Sequence, residues 1–526
     1  MRTHFLDPSA MPATDDPNRP LWARLFRLPE QPGLPIQVRL RAVIVQAILD
    51  GRLGAGTPLP SSRDLAQALS LSRNTVTAAY EQLVEEGFLE ARPRRGVFVA
   101  ADASPLQAAP AEANPFAPEA TAGNTPRPPD WRARVLRSQR DRPTLAKPER
   151  WHDYPYQFVY GTYDPELFPT DDFRECCLRS LARVQLPHWT PDFEQVDVDD
   201  LVTQIRQRLL PKRGVYALAD EILITVGSQH AFYLLAEALF DARTRVGFEE
   251  PGHPHARNSF RVRDPRFVNI AVDDDGLVVD AMPQVDYVFV TPSHQSPTTR
   301  TLSLERRQWL LRKAELQDFV IVEDDYEAEN LYAGMPMPAL KSLDTGGRVI
   351  YIGSLSKSLS PALRLGYIVA SRELIAELRV LRHAMVRHPS AFLQHAYALF
   401  LSLGHHESHA RRVNQIMQER LARVAQALRQ YLPDFRFTPP QGGASVWVEG
   451  PDWLDSAELA DVARGHGVLI EAGRVFYDQP PYPCPQFRLR LSSISGAQIE
   501  AGVRALALAV HELAAARGVR RAAPVH

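Results

Sequence analysis

Three stretches place reactive side chains just past the end of an apolar run. After FVIV come Glu323, Asp324, Asp325 and Tyr326, and after EILITV come Gly227, Ser228 and Gln229 at the start of a helical stretch. After RVIYIG come Ser354, Leu355, Ser356, Lys357 and Ser358, with Arg364 seven residues beyond the lysine. A carboxylate, a phenol, a lysine and a hydroxyl-rich helix start are the parts needed to hold pyridoxal phosphate. The lysine forms a Schiff base, and the carboxylate keeps the ring nitrogen protonated so that the ring accepts electrons. The helix start, the hydroxyls and an arginine hold the phosphate. Each piece alone is weak, because a lysine between serines is usually a surface lysine and Glu-Asp-Asp-Tyr is usually a solvated turn. Context favours the chemistry: the chain has only five lysines, and Lys357 directly follows a run of buried-strand type.

A second constellation lies near the N-terminus. Ser72-Arg73-Asn74-Thr75 opens a helical stretch, and recognition helices address base edges and phosphates from their first residues. Residues 21–100 hold ten Arg, seven Asp or Glu and no Lys, so every cation there presents a fork suited to phosphate or guanine.

These residues need scaffolds. In IQVRLRAVIVQAILD, Ile36, Leu40, Val43, Ala47 and Ile48 recur at helical spacing, and GRLGAG ends the helix. Ser61 or Ser62 then caps a short helix, LSLS turns, and Ser72 caps a second helix that ends at Gly87. FLEARPRRGVFV gives two β-prone runs around a basic turn, so the block is a helix-turn-helix with a wing. Beyond residue 150 the runs EILITV, RVGFEE, YVFVTP, FVIVED, RVIYIG and LGYIVA alternate with helical stretches. That alternation predicts a mostly parallel sheet covered on both faces, with its ligand off the carboxyl ends of the strands.

Between the blocks, residues 101–130 contain nine Ala and seven Pro, a composition with little to bury. The expected organisation is a winged helix-turn-helix over 21–100, a linker over 101–150 and a larger α/β body over 151–520. Sixty Lys plus Arg against 62 Asp plus Glu give a net charge of −2, which excludes a polybasic nucleic-acid coat and makes any DNA binding local. Three cysteines, two of them the vicinal Cys176 and Cys177, cannot make a disulfide framework or a four-cysteine zinc site. No run approaches the ~18 apolar residues of a membrane span, and a cytoplasmic location is expected. His405, His406 and His409 offer no third ligand at suitable spacing, so no metal is expected.

Residues 34–100, in LPSSRDLAQALSLSRNTVTAAYEQLVEEGFLEARPRRGVFV, resemble the winged-helix domain of GntR-type regulators. The resemblance implies DNA contacts at Arg63, Ser72, Arg73, Asn74, Thr75 and Gly96; Thr77 stands where some relatives carry another arginine. From about residue 155 to 515, TPSHQSPT, IVEDDYEAE, VIYIGSLSKSLSPALRLGY and GHHESHARR resemble fold-type I aminotransferases, in the MocR-type branch that carries such a domain behind a GntR-type head. By that resemblance Lys357 carries pyridoxal 5'-phosphate, Asp324 pairs with the ring nitrogen and Tyr326 approaches the ring oxygen. Ser228, Gln229, Ser354, Ser356 and Arg364 surround the phosphate, His294 or Gln295 lies beside the ring, and Arg488 receives a substrate carboxylate. Two departures stand out: His253 occupies the ring-stacking position, and SPTT, Ser296 to Thr299, replaces an aromatic-Pro-Thr-Gly. The leading expectation is a homodimeric regulator that binds operator DNA and senses an amino compound or the cofactor itself, with little or no turnover. The alternatives are an active aminotransferase with an appended DNA-binding module, and a body that no longer takes the cofactor.

Overall fold

The computed structural model describes residues 22–23, 25–29, 33–103, 129–135, 142–145, 147–161, 164–192, 196–327, 329, 337–355 and 359–519. The chain divides into two compact units, residues 1–135 and 136–526.

In the first unit, α1 (Ile36–Leu49), α2 (Ser62–Leu69) and α3 (Arg73–Glu85) are followed by the antiparallel pair β1 (Leu89–Arg92) and β2 (Gly96–Val99). Both serine caps form. The Ser61 side chain accepts the Asp64 N–H at 3.2 Å and the Ser72 side chain accepts the Thr75 N–H at 3.1 Å, each satisfying a donor the first turn leaves open. Ser70 makes the turn between α2 and α3 in the left-handed region, at φ 55°. The face of α1 that buries is Leu40, Ile44, Ala47 and Ile48. Ile36, expected on that stripe, is 42% exposed: it sits in the first turn of α1. The stripe packs on Leu65, Val76, Ala79, Tyr80 and Leu83, each large aliphatic side chain contributing about 1.5–3 kcal/mol.

In the second unit all six apolar runs are strands: β3 (Ile222–Thr225), β4 (Arg245–Glu250), β7 (Tyr287–Val290), β8 (Val320–Asp325), β9 (Val349–Ser354) and β10 (Gly366–Val369). Two further strands, β5 (Arg266–Asp273) and β6 (Gly276–Leu277), complete an eight-stranded sheet in the order β3-β10-β9-β8-β7-β4-β5-β6. β10 runs antiparallel to both neighbours and β6 to β5; the pairs from β9 through β8, β7 and β4 to β5 are parallel. Helix α4 (Gly227–Leu239) lies over one face, packing Ala231, Phe232 and Leu235 on Leu223, Val322, Ile352 and Ile368. Helices α5 (Pro254–Phe260) and α6 (Leu304–Gln317) follow β4 and β7, and α7 (Arg372–Val386), α8 (Ala391–Ser402) and α9 (His405–Tyr431) follow β10. A second, four-stranded sheet holds β11 (Arg436–Phe437), β12 (Ser445–Glu449), β13 (Glu471–Ala472) and β14 (Gln486–Arg490), packed with α10 (Ser456–Gly465) and α11 (Ile499–Ala516). No described helix is long and apolar enough to cross a membrane.

Candidate cofactor and DNA sites

β3, β4, β7, β8 and β9 point the same way, so their carboxyl ends lie along one edge of the sheet. β8 sorts the three acids at its end by pleat, since successive side chains face opposite ways. Glu323 is buried and accepts the Leu340 and Lys341 N–H groups at 2.7 and 2.8 Å. Asp325, on the same side, accepts Arg213 Nε at 2.8 Å and the Tyr351 hydroxyl at 2.9 Å. Burial pushes the Asp325 carboxyl up, but Arg213 and the hydroxyls of Ser293 and Tyr351 bring it below the ordinary carboxylate range. Both acids are therefore spent on the framework. Asp324, 2% exposed, stands in register with Ile352 and shares the α4 side of the sheet with Val322. The pleat sets it on the side of the sheet opposite Glu323 and Asp325.

Tyr326 follows, buried, with its hydroxyl donating to the His294 carbonyl at 2.9 Å. Burial and then Glu327 push its phenol up, so it remains a proton donor at neutral pH. His253 caps α5, its Nδ1 accepting the Ala256 N–H at 3.1 Å, and its ring centroid lies 6.5 Å from that of Tyr326. Ser293, His294, Tyr326, Glu327 and Ser354 border a cavity of about 350 Å³.

Ser228 and Gln229 occupy the first turn of α4, where backbone N–H groups point outward and favour an anion. Gly227 begins that turn at φ +73°, and a Cβ there would come within 3.3 Å of the Arg364 guanidinium. Arg364 donates to the Val226 carbonyl at 3.1 Å, and among the described residues no carboxylate pairs with it. Gly366 is a close approach: a Cβ would stand 3.0 Å from the Gly227 carbonyl carbon and the Gly353 oxygen, so only glycine lets β10 bring Arg364 to the α4 start. His230, turned back to accept the Val226 N–H at 3.1 Å, is held neutral by burial and by Arg382 and Arg364, its pKa lowered to about 4. A helix start and a guanidinium that, among the described residues, pairs with no carboxylate form an anion cradle that fits a phosphate. Ser356 and Lys357 lie outside the described residues.

Two expected residues are engaged by the protein itself. Gln295 is 1% exposed; its amide donates to Glu249, the Pro251 carbonyl and the Ser296 carbonyl, and its oxygen accepts from Thr298. Its side chain braces the SPTT segment, leaving His294 as the neighbour of Tyr326. Arg488, 6% exposed on β14, donates from Nε to Glu471 at 2.6 Å, lies 4.7 Å over the Phe476 ring and reaches the Ser296 hydroxyl at 3.5 Å. Sequence reasoning missed Glu471, Glu327 and Arg490. Glu327 accepts from Arg490 at 2.5 Å and from the Ala444 N–H at 2.9 Å, joining the two sheets. The visible signal was the i, i+2 pair of arginines in FRLRLSS, which a strand places on one face. His405 faces Asp172 and Glu175, His406 faces Glu329 at 3.0 Å, and no group of three or more potential ligands among the described residues could hold a metal.

In the first unit, Arg63 is exposed in the first turn of α2, and Ser72, Arg73 and Asn74 are exposed at the start of α3, with Thr75 half-buried; Gly96 sits in the wing turn at φ +105°. Arg41, Arg52 and Arg92 pair with Glu86, Asp50 and Glu90. Among the described residues Arg63, Arg73, Arg94 and Arg95 pair with no carboxylate.

Residues 194–506 match the family described as aminotransferase class I and II, and residues 36–99 match the bacterial regulatory proteins of the gntR family. The HTH-type transcriptional regulator TauR of Rhodobacter capsulatus is 39% identical over 477 residues, covering 90% of this chain and 96% of its own. The probable rhizopine catabolism regulatory protein MocR of Rhizobium meliloti is 31% identical over 85% of this chain and 88% of its own. Among solved structures, Pyrococcus horikoshii kynurenine aminotransferase in complex with PMP superposes with a TM-score of 0.65 at 26% identity, over 69% of this chain and 92% of that one.

Proposed function

The chain belongs to the MocR-type GntR regulators, a winged helix joined to a class I and II aminotransferase domain, and on that premise we propose how its two sites divide the work. Arg73, Asn74 and Thr75 read an operator from the start of α3, while Arg63, Ser72, Arg94, Arg95 and Gly96 follow the phosphates. One winged helix reads a half-site, so the chain acts as a cytoplasmic homodimer on a repeated sequence.

The body is of the pyridoxal phosphate fold. That cofactor supplies an aldehyde that condenses with primary amines and a ring that accepts electrons. The α4 start, Ser228, Gln229, Ser354, Ser356 and Arg364 would hold its phosphate, Asp324 would keep a proton on its ring nitrogen, and Tyr326 would turn its hydroxyl from the His294 carbonyl to the ring oxygen. His253 lies against the ring face, and Lys357 supplies the amine that tethers it. Arg488 receives the acidic group of an amino-compound effector in competition with Glu471, which holds its Nε. That competition, with Ser296 and Gln295 remodelling the ring's surroundings, suits a sensor more than a catalyst.

One observation carries this reading: at each expected phosphate site stand arginines that, among the described residues, pair with no carboxylate, Arg63, Arg73, Arg94 and Arg95 in the head and Arg364 beside the α4 start in the body. The test follows the visible absorption of the purified chain, and a footprint on the DNA upstream of its own gene, while amino acids are added. A spectral change that alters the footprint with no build-up of keto acid is expected. Many turnovers with a common amino acid, or no visible band, would overturn the reading.

A further inference from the structure

The residues that follow the Ala/Pro stretch are bonded to the body. Arg142 donates to the Asn258 carbonyl at 2.8 Å and to the Arg261 carbonyl at 3.3 Å, at the end of α5, where carbonyls lack helical partners and a cation is favoured. Asn258 returns a bond from Nδ2 to the Pro143 carbonyl at 2.7 Å. The opposite end of this helix is capped by His253.

Lys147 lies a few residues on. Its ammonium is 3.9 Å from the centroid of the Trp151 ring, and it rests so closely on Gly161 that a Cβ there would fall 2.1 Å from Nζ. Among the described residues no carboxylate pairs with it. Burial holds its pKa below the ordinary lysine value, while Glu471 and Tyr160 pull the other way. Glu471 is already engaged at both oxygens: Oε2 accepts from Arg488, and Oε1 accepts the N–H of Tyr160 at 2.8 Å, the residue next to Gly161. One buried carboxylate therefore stands between the guanidinium expected to bind an effector's acid and the backbone on which Lys147 rests. A cavity of about 250 Å³ lined by Lys147, Val159, Arg464, Glu471 and Arg474 gives that carboxylate room to turn.

We propose that Lys147 is a positioning residue of the effector site: when an acidic group takes Arg488, the Glu471 carboxylate passes to Lys147, so acid binding and the hold on residues 142–151 become one linked equilibrium. The proposal rests on the reading of Arg488 as the acid site. A buried carboxylate left unpaired costs far more than one re-paired, and Lys147 is a cation within its field that, among the described residues, pairs with no acid. Linkage is reciprocal, so whatever strengthens the Lys147–Glu471 contact also strengthens acid binding by the same factor.

The experiment uses the full chain loaded with pyridoxal phosphate, with maleate as probe, a dicarboxylate that lacks an amine. Calorimetry gives its affinity, and hydrogen exchange reports on residues 147–161. In the wild type, saturating maleate slows exchange there by at least about 5-fold, the lower end of ordinary coupling. Lys147→Met, which keeps length and apolar contact with Trp151, binds maleate at least about 5-fold more weakly and shows no slowing. Glu471→Gln removes the competitor for Arg488, so it binds maleate more tightly than the wild type and yet transmits nothing. A purely structural role would not separate binding from transmission in this way. Wild-type affinity and slowing in Lys147→Met, or weakened binding in Glu471→Gln, overturns the proposal while a fall in Arg488→Ala upholds the acid site. Unchanged affinity in Arg488→Ala overturns that site and the proposal together.

Discussion

In the head, the arginines proposed to meet a phosphate backbone come from one short stretch, Arg63 to Arg95, and project from elements whose caps and turns are local. In the body, the groups proposed to hold a phosphate come from the start of α4 and from Arg364, 138 residues beyond the Val226 carbonyl it meets, and the sheet must assemble before they do. The head offers exposed, flexible cations to a polyanion that many contacts hold in sum, a salt-sensitive arrangement. The body offers one fixed cradle, partly made of backbone, to a single ligand whose position must be exact enough for chemistry. The same charge is thus deployed for reach in one place and for position in the other.

If the two sites are separable as this contrast implies, the sharpest break comes from Lys357→Ala. It should abolish the cofactor's visible band while operator footprints keep wild-type affinity; loss of both together would mean that the sites are not independent.

Acidity offers a second handle on the body alone. Glu249 is fully buried, and burial lifts its carboxyl to about 7 against donors from Thr291 and Gln295 that act to lower it. A carboxyl whose folded pKa is raised binds more protons folded than unfolded, so its contribution to stability is full below about 4.5, declines as pH rises to about 7 and is gone above that. The span corresponds to about 3 kcal/mol at 1.36 kcal/mol per unit. Denaturant unfolding at pH 5 and pH 7 should show about 2 kcal/mol of that loss in the body transition, and Glu249→Gln should reduce it, leaving the part due to Glu323, which burial also lifts to about 7, while the head transition stays put.

Arg364→Ala removes a charge-assisted contact worth about 1.5–3 kcal/mol, so cofactor affinity should fall by roughly 10- to 150-fold by equilibrium dialysis, with DNA binding unmoved. In the head, Arg73→Ala should cost about 1–3 kcal/mol of specific binding, whereas Arg94→Ala should weaken all sequences alike and reduce the salt slope by about 1. A mobility-shift series across salt concentrations distinguishes the two. Smallest is Ser72→Ala: it removes the α3 cap and about 1 kcal/mol of head stability, visible as a lower head melting temperature with the body transition unchanged.

How much of this could be read beforehand follows the same division. The head was legible almost residue by residue, because caps, turn and wing are all set by near neighbours; Ile36 departed from its stripe only because a first turn lies at the helix end. All six apolar runs became strands, but β5 did not announce itself, since RFVNIAVD interleaves polar residues and keeps only Ile270 buried. Of the three acids after FVIV, resemblance pointed to Asp324, and the pleat sets it on the side opposite Glu323 and Asp325. The engagement of Gln295 with Glu249, and of Arg488 with Glu471, was not legible. Each depends on which strand lies beside which: Glu471 faces Arg488 only through the β13–β14 register.

The reversed direction of β10 has a consequence for the order in which the protein comes into being. Because that strand starts where its parallel neighbours end, Arg364 reaches the α4 start only after the chain has been made well past residue 364 and β10 has been inserted between β3 and β9. Domains fold as units during synthesis, N-terminal ones first. A nascent or prematurely terminated chain therefore has a finished DNA reader long before it can load a cofactor. Incomplete products that keep residues 36–99 would carry the DNA-reading domain without the cofactor site that the body assembles.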